Sequence, residues 1–364
     1  MKWFVFISIL FLTFFNIGFS QGESAVPFLL ISPGARAGGM GEAGVALASD
    51  ATAVFWNPAG LAFQYEDPEE DSRGEVSFMH VKWLPQFNFD DLFFDYLAGR
   101  YYVEDIGMFG GSITFLNLGK NVYTNDQGDE LGTFDSFEYA ITASYATKLK
   151  QNLSMGVNIK FIHSHLFNHK DLGSGVGAEL SDGMSSSFAV DVGVLWIPAY
   201  EFFKNKFSFG ANLSNFGPKM TYIDEAQADP LPTNLKLGVA YKLLDDDFNR
   251  ITLVYDINRL LVYRDKNGAD GVIEAAFYSV WVKQSLKKRL QKFIHSIGLE
   301  YWYGNLIALR TGYFYEHENA GGRKFLTFGG GIKYSIFGFD FGYISAEEDH
   351  PLSDTMRFSV LVHF

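Results

Sequence analysis

Three histidines close together in the chain, His163, His165 and His169, are the residues whose type and spacing come nearest to a metal site. His163 and His165 are two positions apart, so on a β-strand their side chains share one face and could supply two nitrogen ligands to zinc. The chain contains no cysteine, and no nearby carboxylates have the spacing that would complete the site. We therefore expect no metal here.

Two acidic stretches invite a calcium interpretation. In the sequence DKNGADGVIE, the residues Asp265, Asn267, Asp270 and Glu274 resemble a calcium loop, but their positions are out of register with the EF-hand pattern. We interpret this stretch as a plain Asn-Gly turn. Residues 66–73 also lack an ordered ligand spacing and are interpreted as a solvated turn, although they include five acids: Glu66, Asp67, Glu69, Glu70 and Asp71.

Glycine-rich and serine-containing stretches do not complete a catalytic motif either. Gly38–Gly41 and Gly329–Gly331 lack the Lys-Ser/Thr pair that holds phosphate in a nucleotide-binding loop. Ser174 stands between two glycines, but the full Gly-x-Ser-x-Gly motif is missing, and paired carboxylates for hydrolysis cannot be picked out. We predict that the protein is not an enzyme and uses no cofactor.

The start of the chain indicates export. Residues 1–20 are predicted to be a signal peptide, with Lys2 as the positive residue, an apolar run over Trp3–Ile17 and small residues at Gly18 and Ser20. A retained membrane helix is the alternative, but the run is short for one. Loss of this segment removes one lysine and no acid, so the formal charge of −13 becomes −14. An acidic chain without a large basic patch predicts no nucleic-acid partner.

From Glu75 onwards, the sequence alternates with the period of a β-strand. Apolar, often aromatic residues such as Tyr139, Ile141 and Phe339 alternate with Gly, Ser, Asn or charged residues such as Glu138 and Asp340. The segments run to about ten residues, which suits tilted strands that cross a membrane. Tyr and Trp at their ends suit an aromatic girdle. A soluble β-sandwich also alternates and is the alternative fold.

We therefore predict a transmembrane antiparallel β-barrel over residues 66–364. We count thirteen or fourteen strands and choose fourteen because such barrels favour even numbers. One poorly marked strand is then expected either between Asp95 and Val103 or between Val272 and Lys283. The last segment ends on an aromatic residue and resembles the signal for outer-membrane insertion, carried by Phe358, Val360, Val362 and Phe364.

Residues 21–65 differ from the rest because they are rich in small and turn-forming residues. Two local motifs stand out, GARAGGMG at residues 34–41 and WNPAGL at residues 56–61. Glycine permits positive φ and close approach of backbones, and proline fixes turns. We expect a compact segment wedged inside a larger structure and assign it these structural residues: Pro33, Gly34, Arg36, Gly38, Gly39, Gly41, Trp56, Asn57, Pro58 and Gly60.

These two motifs resemble the N-terminal segment of the PorV/PorQ family of type IX secretion system outer-membrane proteins, within the FadL-like barrels. The resemblance implies that residues 21–65 fold into the lumen as a plug or hatch. It also implies partners: the type IX translocon channel protein, the C-terminal domains of secreted cargo, the cell-surface sortase (attachment) complex and outer-membrane lipid. The implied role is to capture cargo at the translocon and shuttle it to the sortase.

Within this segment, we expect Arg36 to donate hydrogen bonds to turn carbonyls or to a lumen carboxylate such as Asp191. A FadL-like transporter of hydrophobic small molecules is the alternative function. It needs an apolar pocket against the hatch, whereas the predicted inward residues are mostly Gly, Ser, Asn and charges. Three long loops are expected at residues 165–185, 216–232 and 265–292, the last with a basic stretch, SLKKRLQKF, that suits one or two helical turns.

Overall fold

The described part of the chain forms a closed barrel of fourteen antiparallel strands, in which the first strand pairs with the last. The computed structural model describes residues 24–66, 71–87, 89, 91–125, 127–167, 183–200, 203, 205–222, 227–265, 268–347 and 350–364. The predicted signal peptide lies outside these residues. The fold class and the strand number predicted from the sequence are confirmed.

The strands follow one another around the barrel in chain order. They are β1 Gly74–Lys82, β2 Phe93–Val103, β3 Gly107–Thr124, β4 Glu130–Lys150, β5 Leu153–Phe167, β6 Gly183–Trp196, β7 Phe207–Phe216, β8 Asn234–Asp245, β9 Asn249–Leu260, β10 Ile294–Tyr303, β11 Ile307–Tyr315, β12 Lys324–Tyr334, β13 Phe337–Ala346 and β14 Met356–His363. The two strands β3 and β4 contain 18 and 21 residues, so the predicted length of about ten residues is wrong for this hairpin.

The poorly marked strand is β2, and the alternative placement between Val272 and Lys283 is wrong. Residues 272–282 are helical, with an α-helical turn Val272–Glu274, a π-helical turn Ala275–Ser279 and an α-helical turn Val280–Val282. We call this stretch α3, after two short N-terminal helices, α1 (Ala35–Gly38) and α2 (Ala53–Trp56). The basic stretch that follows forms α4 (Leu286–Gln291), which confirms the predicted helical turns. None of the helices in the described ranges is long and apolar enough to cross a membrane.

The barrel is polar inside and apolar outside, the reverse of a soluble protein. On β5, the inward-facing Asn158 is fully buried, whereas its neighbour Ile159 is 65% exposed. On β4, Glu138 and Thr142 are buried and Ile141 is exposed. A sandwich would bury the apolar face in its core, so this pattern fits a wall whose outer surface is covered by lipid.

The connections between strands differ in length at the two ends of the barrel. The connections at one end are residues 104–106, 151–152, 197–206, 246–248, 304–306 and 335–336. We call this end the short-turn rim, and it also holds the start of β1 and the end of β14. The connections at the other end, the long-loop rim, are residues 83–92, 125–129, 217–233, 261–293, 316–323 and 347–355, and β5 ends and β6 begins at this rim.

Residues 24–65, the N-terminal segment, contain short helical turns and are almost entirely buried. Besides α1 and α2, the segment has two 3-10 turns, Pro27–Leu30 and Pro58–Phe63. Phe28 and Leu29 pack with inward-facing residues of the barrel such as Phe94 and Tyr96 of β2. The segment is therefore held by the inward-facing side of the wall, and its contacts define the candidate site.

Candidate functional site

Arg36 joins the N-terminal segment to the wall through a buried carboxylate. Its Nε and Nη2 atoms donate two hydrogen bonds of 2.8 Å to the carboxylate of Glu300 on β10. Its Nη1 atom donates to Asp50 of the same segment at 3.0 Å. Glu300 also accepts a 2.8 Å hydrogen bond from Arg310 on β11, which in turn donates to Asp340 on β13 at 2.6 Å. Charges thus alternate in sign across three strands and the segment, which offsets the cost of burying each of them.

The carboxylate that Arg36 contacts differs from the one suggested by the sequence. Asp191 on β6 accepts hydrogen bonds from Asn158 at 2.8 Å and from Lys160 at 3.3 Å, and it makes no hydrogen bond with Arg36 in the described structure. The prediction that Asp191 is the carboxylate partner of Arg36 is therefore wrong. Arg36 lies beside β10, which carries Glu300, and not beside β6, which carries Asp191.

Hydrogen bonds to the rest of the segment and to the wall hold the Trp56-Asn57-Pro58 turn in place. The Nδ2 atom of Asn57 donates to the carbonyls of Val45 in the segment and Val194 on β6, at 3.1 and 3.0 Å. Its Oδ1 atom accepts from the backbone N–H of Ala59 at 3.2 Å and so caps the turn Pro58–Phe63. Trp56 Nε1 donates to the carbonyl of Pro33 at 3.2 Å, which links the two motifs.

Wall side chains also donate hydrogen bonds to carbonyls in and beside this turn. Asn158 of β5 donates to the carbonyl of Val54 at 2.8 Å, and Asn212 of β7 donates to that of Trp56 at 3.1 Å. Ser154 of β5 donates to the carbonyl of Ala59 at 2.8 Å. A buried carbonyl without a hydrogen-bond donor is costly. These inward polar residues supply the donors, so an irregular peptide can be buried here.

The glycines of the first motif allow backbone to lie against backbone. Gly41 has a φ of +66°, and a Cβ atom there would come within 2.7 Å of the backbone N and O of Tyr313 on β11. Its N–H donates to Thr327 at 2.7 Å. Gly39 likewise faces the backbone of Gly329, and Gly60 of the second motif faces that of Ala48. Gly34 and Gly38 instead face the side chains of Thr52 and Arg357.

A matching set of glycines lies on the inward side of the wall. A Cβ atom at any of these positions would come between 2.2 and 3.1 Å from an atom of the N-terminal segment. We call them the wall glycines: Gly156, Gly193, Gly210, Gly238, Gly298, Gly312, Gly329 and Gly342. The alternation predicted that one face of the strands is rich in glycine, but it did not indicate that this face contacts the segment.

A cavity of about 840 Å³ lies between the first turn of the segment and the long-loop rim. Its charged lining residues have partners: Glu42 accepts from Arg357 at 2.7 Å, and Arg323 donates to Glu316 at 2.7 Å. Burial raises the pKa of the lining Tyr222, which keeps its phenol neutral. The rest of the lining is mainly apolar and includes Val26, Pro27, Phe28, Leu30, Ile31, Trp83, Leu84, Leu92, Leu116, Leu118, Leu166, Phe167 and Leu352.

Sequence reasoning missed this cavity because its lining comes from distant parts of the chain. The predicted inward residues of the strands are polar or small, whereas the apolar lining comes mostly from the first turn of the segment, strand ends and loops. The signal that could have found it is the apolar run Ala25–Ile31, which is too short for a strand of the barrel.

The residues of the predicted insertion signal lie on the outward face of β14 and just beyond it. Phe358 and Val360 are exposed, and Val360 and Val362 pair with Phe78 and Val76 of β1 where the barrel closes. Phe364 exchanges two backbone hydrogen bonds with Gly74, at 2.7 and 2.9 Å. Recognition by the insertion machinery remains a prediction.

The candidate metal residues are engaged in other contacts. His163 and His165 lie on the outward aromatic face of β5, where His165 stacks on Phe137 with ring centres 4.8 Å apart. His169 and Asn267 lie outside the described residues. Asp270 and Glu274 both accept hydrogen bonds from Lys283 at 2.8 Å. Over the described ranges, no group of three or more His, Cys, Asp or Glu residues is placed to hold a metal ion.

Comparisons with solved structures identify the fold. The toluene transporter TbuX of Ralstonia pickettii is 13% identical, with 92% of this chain and 98% of that chain covered and a TM-score of 0.53. The toluene transporter TodX of Pseudomonas putida is 15% identical, with 95% and 98% covered and a TM-score of 0.52. The monoaromatic hydrocarbon channel CymD is 15% identical, with 92% and 98% covered and a TM-score of 0.51. At these identities, the likeness concerns the fold alone.

The family comparison is more specific. None of the curated proteins matches this chain. The sequence model of the family described as type IX secretion system protein PorV matches residues 21–267, which include the N-terminal segment and strands β1–β9. This match covers more than half of the chain. The chain therefore belongs to the PorV family of the type IX secretion system and is an outer-membrane β-barrel.

Proposed function

We propose that this barrel binds the C-terminal signal domains of secreted cargo at the type IX translocon channel protein and passes them to the cell-surface sortase complex. The observation that carries the proposal is the family match over residues 21–267. Outer-membrane barrels place their longer loops outside the cell, so the long-loop rim is the surface that meets exported cargo. Loops on a rigid scaffold are suited to binding because they vary without disturbing the fold.

In this proposal, residues 21–65 act as a plug, and the barrel is a docking scaffold that does not conduct its cargo. The contacts of Arg36 with Glu300 and of Asn57 with Val194 support this role, since they tie the segment to two separate strands of the wall, β10 and β6. The wall glycines support it too, because they let the segment lie directly against the strands. A folded cargo domain is far larger than any gap that such packing leaves.

Single-cysteine crosslinking tests the cargo role, and the absence of native cysteine makes the labelling specific. Trp83→Cys places a photoactivatable crosslinker at the long-loop rim, beside the cavity, and Asn305→Cys is the matched control at the short-turn rim. We expect cargo C-terminal domains to be captured in cells from position 83 and not from position 305. Equal capture at both positions, or capture at neither, would contradict the proposal.

A second candidate function is the binding of hydrophobic small molecules, and the cavity of about 840 Å³ favours it. Its volume lies within the usual range for small-molecule sites, and its lining is mainly apolar with few polar groups. Native mass spectrometry of the protein extracted in detergent tests this candidate. A retained hydrophobic ligand supports binding in the cavity, whereas a ligand-free protein that fails to take up added fatty acid or toluene excludes it.

A further inference from the structure

The helical connection between β9 and β10 lies against the outside of the barrel. Leu261, Ala276 and Val280 of this connection form one apolar cluster, with Leu213, Phe216 and Leu235 of β7 and β8 packed against it. Leu213 and Leu235 belong to the outward, apolar faces of their strands, and the Phe216 and Phe277 rings have centres 6.5 Å apart. Helix α3 therefore covers part of the lipid-facing wall at the long-loop rim.

The free side of α3 and α4 continues this apolar surface. Phe277 is 70% exposed and Ile273 is 66% exposed, although both are large apolar residues. Tyr278, Val282, Leu286 and Leu290 are exposed as well. Because the helices pack on a wall that lipid covers, the layer beside this surface is lipid and not bulk water. An amphipathic helix in such a place lies in the membrane interface with its apolar side in the acyl region.

A group of cations lies where this connection meets β9. Arg259, near the end of β9, is only 1% exposed because α3 and α4 cover it, and its guanidinium lies 4.4 Å from the centre of the Trp281 ring. Its Nη1 atom donates to the carbonyl of Arg289 at 3.0 Å. Burial and the nearby charges of Arg259 and Lys288 lower the pKa of Lys292. We call Arg259, Lys288, Arg289 and Lys292 the basic cluster.

Among the described residues, the basic cluster has no carboxylate as an ion-pair partner. In the described part of the chain, none of its four members forms an ion pair, and the buried Nε atoms of Arg259 and Arg289 have no hydrogen-bond partner. Lys283 of the same connection is different, since Asp270 and Glu274 neutralise it. Arg259 is buried, Arg289 and Lys292 are half-buried and Lys288 is exposed. Like charges held together in partly desolvated surroundings are costly unless an anion joins them.

We propose that Lys288, Arg289 and Lys292 of the basic cluster bind the phosphate of an outer-leaflet lipid headgroup, to which the buried Arg259 adds positive charge without contact. The acyl chains of this lipid lie against the exposed apolar side of α3 and α4. Arginine and lysine pair with phosphate through short, charge-assisted hydrogen bonds, and long basic side chains reach from an apolar surface to the headgroup level. The long-loop rim faces the outer leaflet, where phosphorylated lipid A supplies this headgroup. The occupant is lipid because the helical surface continues the lipid-facing wall.

Lipid A binding is measured by native mass spectrometry of the full-length protein in detergent. Wild type is titrated with diphosphorylated lipid A, with its dephosphorylated form and with phosphatidylcholine. The test variant is Lys288→Gln/Lys292→Gln, and the control is Lys150→Gln/Lys333→Gln, which removes two exposed lysines at the short-turn rim. We expect diphosphorylated lipid A to bind best, about tenfold weaker binding in the test variant and no change in the control.

Three outcomes of this titration overturn the proposal. The first is equal binding of the phosphorylated and dephosphorylated lipids. The second is equal weakening in the test and control variants. The third is full competition by inorganic pyrophosphate at the concentration at which lipid A binds, because the site would then hold a free anion.

A spin label tests the position of α3 separately from the charge. Phe277→Cys and the control Glu318→Cys, which lies on another long-loop connection, are each labelled in nanodiscs of phosphatidylcholine with diphosphorylated lipid A. We expect the label at 277 to collide with oxygen and not with a water-soluble nickel chelate, and the label at 318 to show the reverse. A label at 277 that is open to nickel, or shielded from both by a bound protein, overturns the lipid assignment.

Discussion

Arg36 and Glu300, which are 264 positions apart in the chain, form a bidentate ion pair with two hydrogen bonds of 2.8 Å. Glu300 is almost fully buried, and its other partner is Arg310. The pair connects the N-terminal segment to β10, whereas the Asn57 turn is connected to β6. Loss of the Arg36–Glu300 ion pair should therefore release the part of the segment around Arg36 most directly.

Arg36→Ala should loosen the segment and increase the passage of small solutes through reconstituted membranes. Removal of the guanidinium leaves the buried Glu300 carboxylate with Arg310 as its cationic partner. We expect this to lower the free energy of unfolding by ~1–3 kcal/mol. Liposome swelling and thermal unfolding in detergent measure the two effects. Arg250→Ala, at the exposed short-turn rim, is the control and should change neither. Unchanged solute flux in Arg36→Ala would argue against a sealing role.

Gly41→Ala should destabilise the protein more than Gly128→Ala. Both glycines have positive φ, so each substitution carries a strain of ~1–2 kcal/mol. Only at Gly41 would the added methyl group also meet wall backbone, because nothing lies within 4 Å of the corresponding position at Gly128. Thermal unfolding together with proteolysis of the N-terminal segment measures the difference. Equal destabilisation of the two variants would mean that the segment is not pressed against β11.

Phe364→Ala should reduce the amount of assembled barrel in the outer membrane several-fold. The ring of Phe364 lies over Gly74, where a Cβ atom would come within 2.3 Å of it, and next to Tyr101. Heat-modifiable mobility on gels measures the assembled fraction. Tyr334→Ala is the matched control, since it removes an exposed aromatic residue from another strand at the same rim. Equal losses in both variants would point to the girdle of aromatic residues and away from a terminal signal.

Leu116→Gln should weaken the binding of a hydrophobic ligand in the cavity without changing cargo crosslinking. Leu116 is buried and lines the cavity, and an amide there removes apolar contact area worth about 1–3 kcal/mol to a bound apolar molecule. Isothermal titration with a fatty acid measures the affinity. Ile113→Gln, on the outward side of the same strand, is the control. If both variants bind like wild type, the ligand does not occupy this cavity.

The sequence predicted the wall of the barrel well because lipid imposes a simple rule on it. Outward residues such as Ile141 and Phe339 must be apolar, and the residues between them face the lumen, so the period of two identifies the face. The same rule failed between Val272 and Lys283. There, apolar residues recur at positions 272, 273, 276, 277 and 280, which is helical spacing.

The contacts of the candidate site could not be predicted to the same depth. The motifs around Arg36 and Asn57 marked an unusual segment, but several inward acids could have met the guanidinium, among them Glu75, Asp191 and Glu300. The choice depends on strand register and on how far the segment extends across the barrel. The cavity and the basic cluster depend on loops that come together only after the barrel closes.

The wall glycines also constrain how this protein is made. An added Cβ atom at any of these eight positions would come within 3.1 Å of the segment, so the closed barrel leaves little space for the segment to enter later. The segment precedes β1, and β1 completes the circle by pairing with β14. We therefore expect the sheet to assemble around the N-terminal segment, with the pairing of β1 and β14 as the last step.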